Sequence, residues 1–464
     1  MTPLIKLSST QLEALQARLS RLAEGAPGGA LLSITLDLGA CSGDADDDWL
    51  ERQPKSAETC YWARPDRGEY RLGIGRAVVC ASAGPARFTA LQAAHAGVAQ
   101  HWRHDGRSVG SDIADSFEPV ACLGFAFDEE STGELPNTQL GVAAVLLSSQ
   151  HGRRRATFTT PARDHQGAMR RWQALLETSP RASQSVPAGT LPDPTLAARA
   201  WQARVGAALA AIEAGEIDKV VLSRGVRIAL PKAIAPVTLL RRLTQQHPES
   251  TVFAIGNSHG VFLGATPEQL VGLTDGLARA DALAGTAWAG QPLVIDKNTH
   301  EQQLVVDAIR QAMEPLCASL HLPPAPQVLQ LRDLQHLWTP VSGEVRAGVG
   351  LFDLIARLHP TPAVGGWPTA AACEWLRRNG EKRPGWYGGG VGRTDRHGNG
   401  EVAVALRCGL LSAGGIELSA GAGIVAGSQP AHEFGETEAK LATMLGALQP
   451  DETQGLTQAL AGTR

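Results

Sequence analysis

The sequence predicts an α+β protein, and three observations carry that prediction. Short strands succeed one another through tight turns: Val252-Phe-Ala-Ile-Gly256 and Val261-Phe-Leu-Gly264 flank Ser258-His-Gly260, the pattern of an antiparallel hairpin. Helices fall between groups of strands without a regular βαβ rhythm, which argues against a parallel doubly wound sheet. No GxGxxG or Walker pattern opens a helix after a strand, so a nucleotide site has no support.

In chain order, Ser8-Ser-Thr caps a helix whose Leu12, Leu15, Leu19 and Leu22 form one stripe. Ala30 to Leu38, Cys60 to Arg64, Tyr70 to Gly75 and Ala77 to Cys80 read as strands. A helix over Arg87–Trp102 leads to strands at Ala121 to Phe127 and Gly141 to Leu147. His151-Gly then turns the chain into Arg155 to Thr160. After a helix at about Gln166–Glu177, Ser179–Pro194 is rich in Ser, Pro, Ala and Gly, as a linker or a long surface loop would be. Leu196–Ala214 is a helix, Lys219 to Leu230 a strand, and Glu401 to Leu411 an apolar strand.

Composition narrows the function. The 464 residues are 43% hydrophobic and 19% charged, as in soluble globular proteins. A net charge of −4 leaves no basic excess for nucleic acid or an anionic membrane. The start, Met-Thr-Pro-Leu-Ile-Lys, lacks a signal-peptide pattern, and no apolar run reaches membrane-spanning length. Seven scattered cysteines without a CxxC suggest neither zinc nor a disulfide framework. A cytoplasmic protein acting on a small molecule is expected, with a monomer as the starting assumption.

Five polar features stand where apolar neighbours argue for burial. Lys219 opens a strand on the face of Val221 and Ser223; it is either solvated at the strand end or held inward at a cost. Glu268 follows Gly264-Ala-Thr-Pro in a tight loop, as a turn carboxylate or a functional acid. Glu301, behind Asn298/Thr299, shares a helical stripe with Leu304, Val305, Ala308 and Ile309; it either meets the helix dipole or needs a cation. Arg407 lies inside the apolar strand, where a guanidinium holds a carboxylate of the protein or of a ligand. Glu433, Glu436 and Lys440 open a helix at i, i+3 and i+7 after a glycine-rich turn; alone they fit a solvated helix end as well as a cation site. Together the five suggest a Mg2+-assisted reaction on a small multi-carboxylate, since hard oxygen ligands suit that ion.

The strings KVVLSRG, FLGATPEQLV, ALAGTA, DKNTHEQQLVVDAI, LQHLWTPVSGEV, LHPTPAVGG, PGWYGGGVG, VAVALRCGL and SAGAGIVAGSQPAHEFGETEAKL occur in an order that resembles the chorismate-utilising enzymes. The likeness runs from about Leu196 to Leu448, with a catalytic region at 195–450. It is weaker over 1–178, where CYWARPDRGEYRLGIG and LGFAFD carry it. It implies one large domain over 1–464, two stacked antiparallel sheets wrapped by helices, and a loop at Ser179–Pro194.

The resemblance also implies roles. A lysine at the start of the KVVL strand marks the branch that uses water rather than ammonia, and HLWTP with Trp338-Thr339 is nearer the isochorismate synthases than the salicylate synthases. Lys219 would then be the general base and Glu268 a protonated general acid. Glu301 and Glu436 would ligate Mg2+, with Glu433 behind them or acting through water. Arg407 and Tyr387 would hold the pyruvyl carboxylate of chorismate, with Gly421 giving clearance. His336 and Lys440 match positions near the ring carboxylate, and Ala284, Gly285 and Thr286 the loop that lines the ring. Three departures stand out: Ala287-Trp-Ala-Gly290 replaces a Pro-Arg-Gly-like string, Pro384 follows Arg383 where Arg-Gly-Trp-Tyr is usual, and Gln269 and Asn298 stand where charges are common. The alternatives are a salicylate synthase, which would go on to release pyruvate, and a catalytically silent binding subunit.

Overall fold

The computed structural model describes residues 3–40, 49–50, 54, 56, 58–106, 117–130, 133–177, 193–288, 295–331 and 334–449. Residues 179–192 of the expected linker or loop lie outside these, as do Ala289 and Gly290.

The strands form one hydrogen-bonded network that divides into two arms at Thr138–Gln150. The C-terminal half of that strand pairs with Arg153–Pro161, and its N-terminal half with Val120–Phe125 along the same edge. On its other edge lies Glu69–Ser82. From there the first arm runs through Thr59–Arg64, Thr251–Gly256, Val261–Thr266, Cys408–Ser412, Gly415–Val425 and Lys219–Ala229. The second runs from Val120–Phe125 through Gly390–Asp395, Gly400–Val404, Gln269–Thr274, Leu277–Trp288 and Leu334–Val345. Leu31–Ala40 pairs in parallel with Trp102–Asp105, the chain between them passing through the helix Arg87–Gln100; the other described ladders are antiparallel. The two stacked sheets expected are thus continuous through one long strand.

Burial explains the stacking. Trp62, Phe253 and Phe262 of the first arm pack against Trp386, Val391 and Ala403 on the side of the second. Trp386 is wholly buried, donates to the Pro136 carbonyl at 2.7 Å, and leaves no room for a side chain at Gly124, whose Cβ would lie 2.0 Å from its ring. Helices cover the outer faces. Ser8 caps Ser9–Ala23 in a reciprocal bond with Gln11, burying Leu15 and Leu19. Pro194–Glu213 buries Trp201 and Val205 against Val220 and Leu222 of the Lys219 strand. No helix among the described residues is long and apolar enough to cross a membrane.

Three local expectations change. The strands at Tyr70 and Ala77 are one, Glu69–Ser82, interrupted by a register shift between Arg76 and Val78 next to Gly75 at φ 62°. The helix bearing Glu301 begins at Ile295, so neither Asn298 nor Thr299 caps it. Its deeply buried stripe is Gln302, Val305, Ile309 and Met313, with Glu301 at the margin. The apolar run Glu401 to Leu411 is not one strand. It breaks between Val404 and Cys408, because the chain passes there from the second arm to the first, with Arg407 at φ 48°.

Candidate active site

Two such passages lie side by side. Thr266-Pro267-Glu268 carries the chain from the first arm to the second, and Ala405-Leu406-Arg407 carries it back. Pro267 has no N–H to continue a ladder. Instead the passages bond each other: Ala265 N donates to the Arg407 carbonyl (3.1 Å), Val404 N to the Glu268 carbonyl (3.0 Å), and Thr266 Oγ1 to the Val404 carbonyl (2.7 Å). Glu268 and Arg407 therefore enter one cavity where the arms part.

The strand pair Lys219–Ala229 and Gly415–Val425 forms one wall. Its register sets Val221 opposite Gly423 and Ser223 opposite Gly421. The expected alternation holds: Val221 lines the cavity while Val220 and Leu222 enter the core behind. Lys219 is 1% exposed, and its Nζ lies 2.7 Å from Glu301 Oε1. Both glycines give clearance. A Cβ at Gly423 would meet Glu301 Oε1 at 2.6 Å and Lys219 Cε at 3.0 Å; one at Gly421 would meet the Leu222 carbonyl at 2.7 Å and the Tyr387 hydroxyl at 2.9 Å.

The opposite wall comes from Leu277–Trp288 and Leu334–Val345. Ala284, Gly285 and His336 face the cavity. Thr286 is paired in the ladder with His336, and its side chain lies outside the described residues. His336 Nε2 accepts from Arg407 Nη2 at 3.3 Å, since a guanidinium only donates, and the imidazole donates to Gly285. Burial, then the charges of Arg407 and Lys440, hold it well below the ordinary histidine range, so it is neutral.

Glu268 is 4% exposed. Burial, reinforced by the nearby Asp281 carboxylate, pushes its carboxyl up to about 8 against the pull of Lys219, Lys440 and Arg407. Glu268 is thus a carboxylic acid at neutral pH. Tyr387 is raised by burial and keeps its proton.

The remaining acids gather at the third side. Lys440 Nζ bonds Glu436 Oε1 at 2.6 Å and the Gly421 carbonyl at 2.9 Å, tying the helix Pro430–Leu448 to the strand. Glu436 and Glu301 both line the cavity; Glu433, fully buried, stands behind. The ligand atoms of His432, Glu433 and Glu436 lie within 4.8 Å of one another. Glu301 is turned to Lys219 rather than to this group.

Sequence reading missed several residues. Gln302 fixes the Glu301 helix to both strands of the opposite wall, donating to the Ala282 carbonyl and Thr339 Oγ1 and accepting from Ala284 N. Asp281 accepts from Trp338 Nε1 at 2.8 Å and adds to burial in raising Glu268. Asp281 was visible as a carboxylate between the apolar residues Ala280 and Ala282, whereas Gln302 stands in a polar stretch and only its helical spacing to Val305 and Ile309 marks it. Arg383 and Ser419 also line the cavity, and His432 joins the two glutamates.

The chain matches the model of the family described as "Chorismate binding enzyme" over residues 30–449. It is 34% identical over 424 residues to the salicylate biosynthesis isochorismate synthase of Pseudomonas aeruginosa, covering 86% of each chain. It is 35% identical over 259 residues to the isochorismate synthase MenF of Bacillus subtilis, covering 53% of this chain and 55% of that one. Among solved structures it resembles the menaquinone-specific isochorismate synthase MenF of Escherichia coli, with a TM-score of 0.77 and 24% identity over 95% of this chain and 99% of the other. Anthranilate synthase component I of Streptococcus pneumoniae shares the fold at a TM-score of 0.67 and 18% identity, covering 81% and 92%. With nearly its whole described length matched, the chain belongs to the chorismate-binding enzyme family.

Proposed function

We propose that the protein is an isochorismate synthase, converting chorismate reversibly to isochorismate with Mg2+ as cofactor. The observation that carries the reading is a carboxylic acid, kept protonated to about pH 8, in a cavity whose lining residue Glu301 is paired with the buried amine of Lys219. The acid is in the form that the reaction needs at neutral pH, and the lysine is the group placed to act as its base. The relatives' names agree with it.

Lys219 Nζ takes a proton from the water that adds to C2. The ring double bonds shift, the C4–O bond breaks, and Glu268 gives its proton to the departing hydroxyl, which leaves as water. Return of the proton from Lys219 to Glu268 through solvent closes the cycle. Arg407 and Tyr387 hold the pyruvyl carboxylate, and Gly421 admits it between Tyr387 and the strand. His336, neutral and fixed by Gly285, orients Arg407 without adding charge. Lys440 lies at the ring carboxylate, and the backbone of Ala284, Gly285 and Thr286 lines the ring.

The donors fit a hard divalent cation. Glu301 and Glu436 face the cavity with hard carboxylate oxygens, and ligand atoms of Glu433 and Glu436 lie within 4.8 Å of each other. Glu301 and Glu436 would hold Mg2+, with Glu433 supporting Glu436. Bound there, the ion supplies positive charge that neutralises the ring carboxylate. The test is incubation with chorismate and Mg2+, with EDTA as control: isochorismate is expected, dependent on the metal. Sustained release of pyruvate with salicylate would overturn the assignment in favour of a salicylate synthase.

A further inference from the structure

Arg383 has no place in the scheme above, yet it lines the same cavity. It is 7% exposed, and two contacts hold its guanidinium. Nη2 donates to the Val221 carbonyl at 2.9 Å, in the wall that carries Lys219. The guanidinium carbon lies 3.6 Å from the centroid of Phe127. Gly388, at φ 72°, leaves room for Nη1, which a Cβ there would approach to 2.5 Å. What these contacts do not supply is a counter-ion. Among the described residues the carboxylates of Glu381 and Asp128 act on Arg383 only at a distance and none forms an ion pair with it, and its buried Nε has no hydrogen-bond partner.

A guanidinium out of water and without an ion-paired anion is costly, and such groups persist where a ligand completes them. Lys219 and Lys440 already face Glu301 and Glu436. Arg383 is therefore a cation of this wall with charge to spare for a dianionic substrate. Its position selects the end of that substrate: it precedes Tyr387 by four residues, and Tyr387 lies within the electrostatic reach of both Arg383 and Arg407. Resting on the chorismate reading, we infer that Arg383 is a second substrate-binding guanidinium, which with Arg407 brackets the side-chain carboxylate of chorismate. The departure at Pro384 then has a use. Proline fixes the backbone just after the arginine, and the guanidinium stays clamped between Phe127 and Gly388 before substrate arrives.

The test is a double-mutant cycle between the protein and the ligand. Wild type, Arg383→Gln and Arg383→Lys are compared by calorimetric binding of chorismate and of its side-chain methyl ester, and by steady-state turnover. In the wild type the ester is expected to bind about tenfold to a hundredfold more weakly, the range for a hydrogen bond to a charged group. In Arg383→Gln that penalty should shrink to a few-fold, while KM for chorismate rises about tenfold and kcat changes little. Arg383→Lys keeps the charge and should fall between the two. Should Arg383→Gln not fold, the lysine variant carries the same comparison. An ester penalty equal in variant and wild type would overturn the inference, because a merely structural arginine weakens both ligands alike. Turnover of chorismate by the wild type decides the isochorismate reading separately.

Discussion

Replacing Glu268 by glutamine should abolish turnover and yet stabilise the protein, by an amount that depends on pH. In the unfolded chain this carboxyl titrates at its ordinary value of 4.5; in the folded protein burial and Asp281 move it to about 8. The folded state therefore holds a proton that the unfolded state has lost throughout that window, and its stability falls as pH rises through it. At about 1.4 kcal/mol per pH unit, the full window corresponds to roughly 5 kcal/mol. Relaxation and entry of water bring the expected figure nearer to about 3 kcal/mol at pH 8. Glutamine has a similar shape and no charge, so the variant escapes this loss. Urea denaturation of both proteins at pH 5 and pH 8, without substrate or divalent metal, reads the effect directly. The variant should nearly match the wild type at pH 5 and have a clearly higher midpoint at pH 8. A difference that is the same at both pH values would refute the reasoning, since Glu268 would then not be held protonated. Normal turnover by the variant would remove it as the general acid.

Related outcomes follow from the same geometry. The rate should fall on an alkaline limb near pH 8 as Glu268 loses its proton. In Asp281→Asn the limb should move to lower pH, because one of the causes that raise Glu268 is gone; pH–rate profiles of the two proteins check this. Lys219→Ala should lose turnover by about a hundredfold or more while still binding chorismate by calorimetry, the range for loss of a general base. Gly421→Ala places a methyl group 2.9 Å from the Tyr387 hydroxyl and 2.7 Å from the Leu222 carbonyl, so KM for chorismate should rise steeply. Gln302→Leu removes three buried hydrogen bonds that fix the Glu301 helix, and should cost about 2–4 kcal/mol in urea unfolding.

Much of this site could be read from the sequence because its chemistry travels in short strings. KVVLSRG, HLWTP and the run from Ser419 to Lys440 each place a functional side chain at a fixed offset from its strand or helix, and alternation or helical spacing then points it inward. Glu268, Ala284, Gly285, Glu301, His336, Tyr387, Arg407, Gly421, Glu436 and Lys440 all reach the cavity. What failed was whatever depends on a partner far along the chain. VAVALRCGL reads as one strand because every residue in it suits a strand. That it breaks at Arg407 is decided by the two arms claiming its halves, through pairings with Gly390–Asp395 and Gln269–Thr274 on one side and Val261–Thr266 and Gly415–Val425 on the other. Asp281 was visible as a carboxylate between apolar residues, and Gln302 only through its helical spacing to Val305 and Ile309. Their partners Trp338 and Thr339 sit in a different string, so neither partnership could be read locally.

The passages between the arms also explain why the acid and the arginine are found together. A residue inside a strand of either arm has its backbone committed to the ladder and its direction set by alternation. A residue at a passage has left one ladder and not yet joined the next, so its side chain can turn into the gap between the sheets. Two passages in opposite directions must lie side by side to satisfy each other's backbone, as Ala265 with Arg407 and Val404 with Glu268 do. That pairing brings a dry environment, which raises Glu268, and a fixed guanidinium to the same opening. The protonation of the acid and the position of the anion-binding arginine thus share one cause, the division of a single strand network into two arms. A substitution that shifts either passage, such as Pro267→Ala with its added freedom, should disturb both functions together, lowering kcat through Glu268 and raising KM through Arg407. Loss of only one of the two would show that the passages are not coupled.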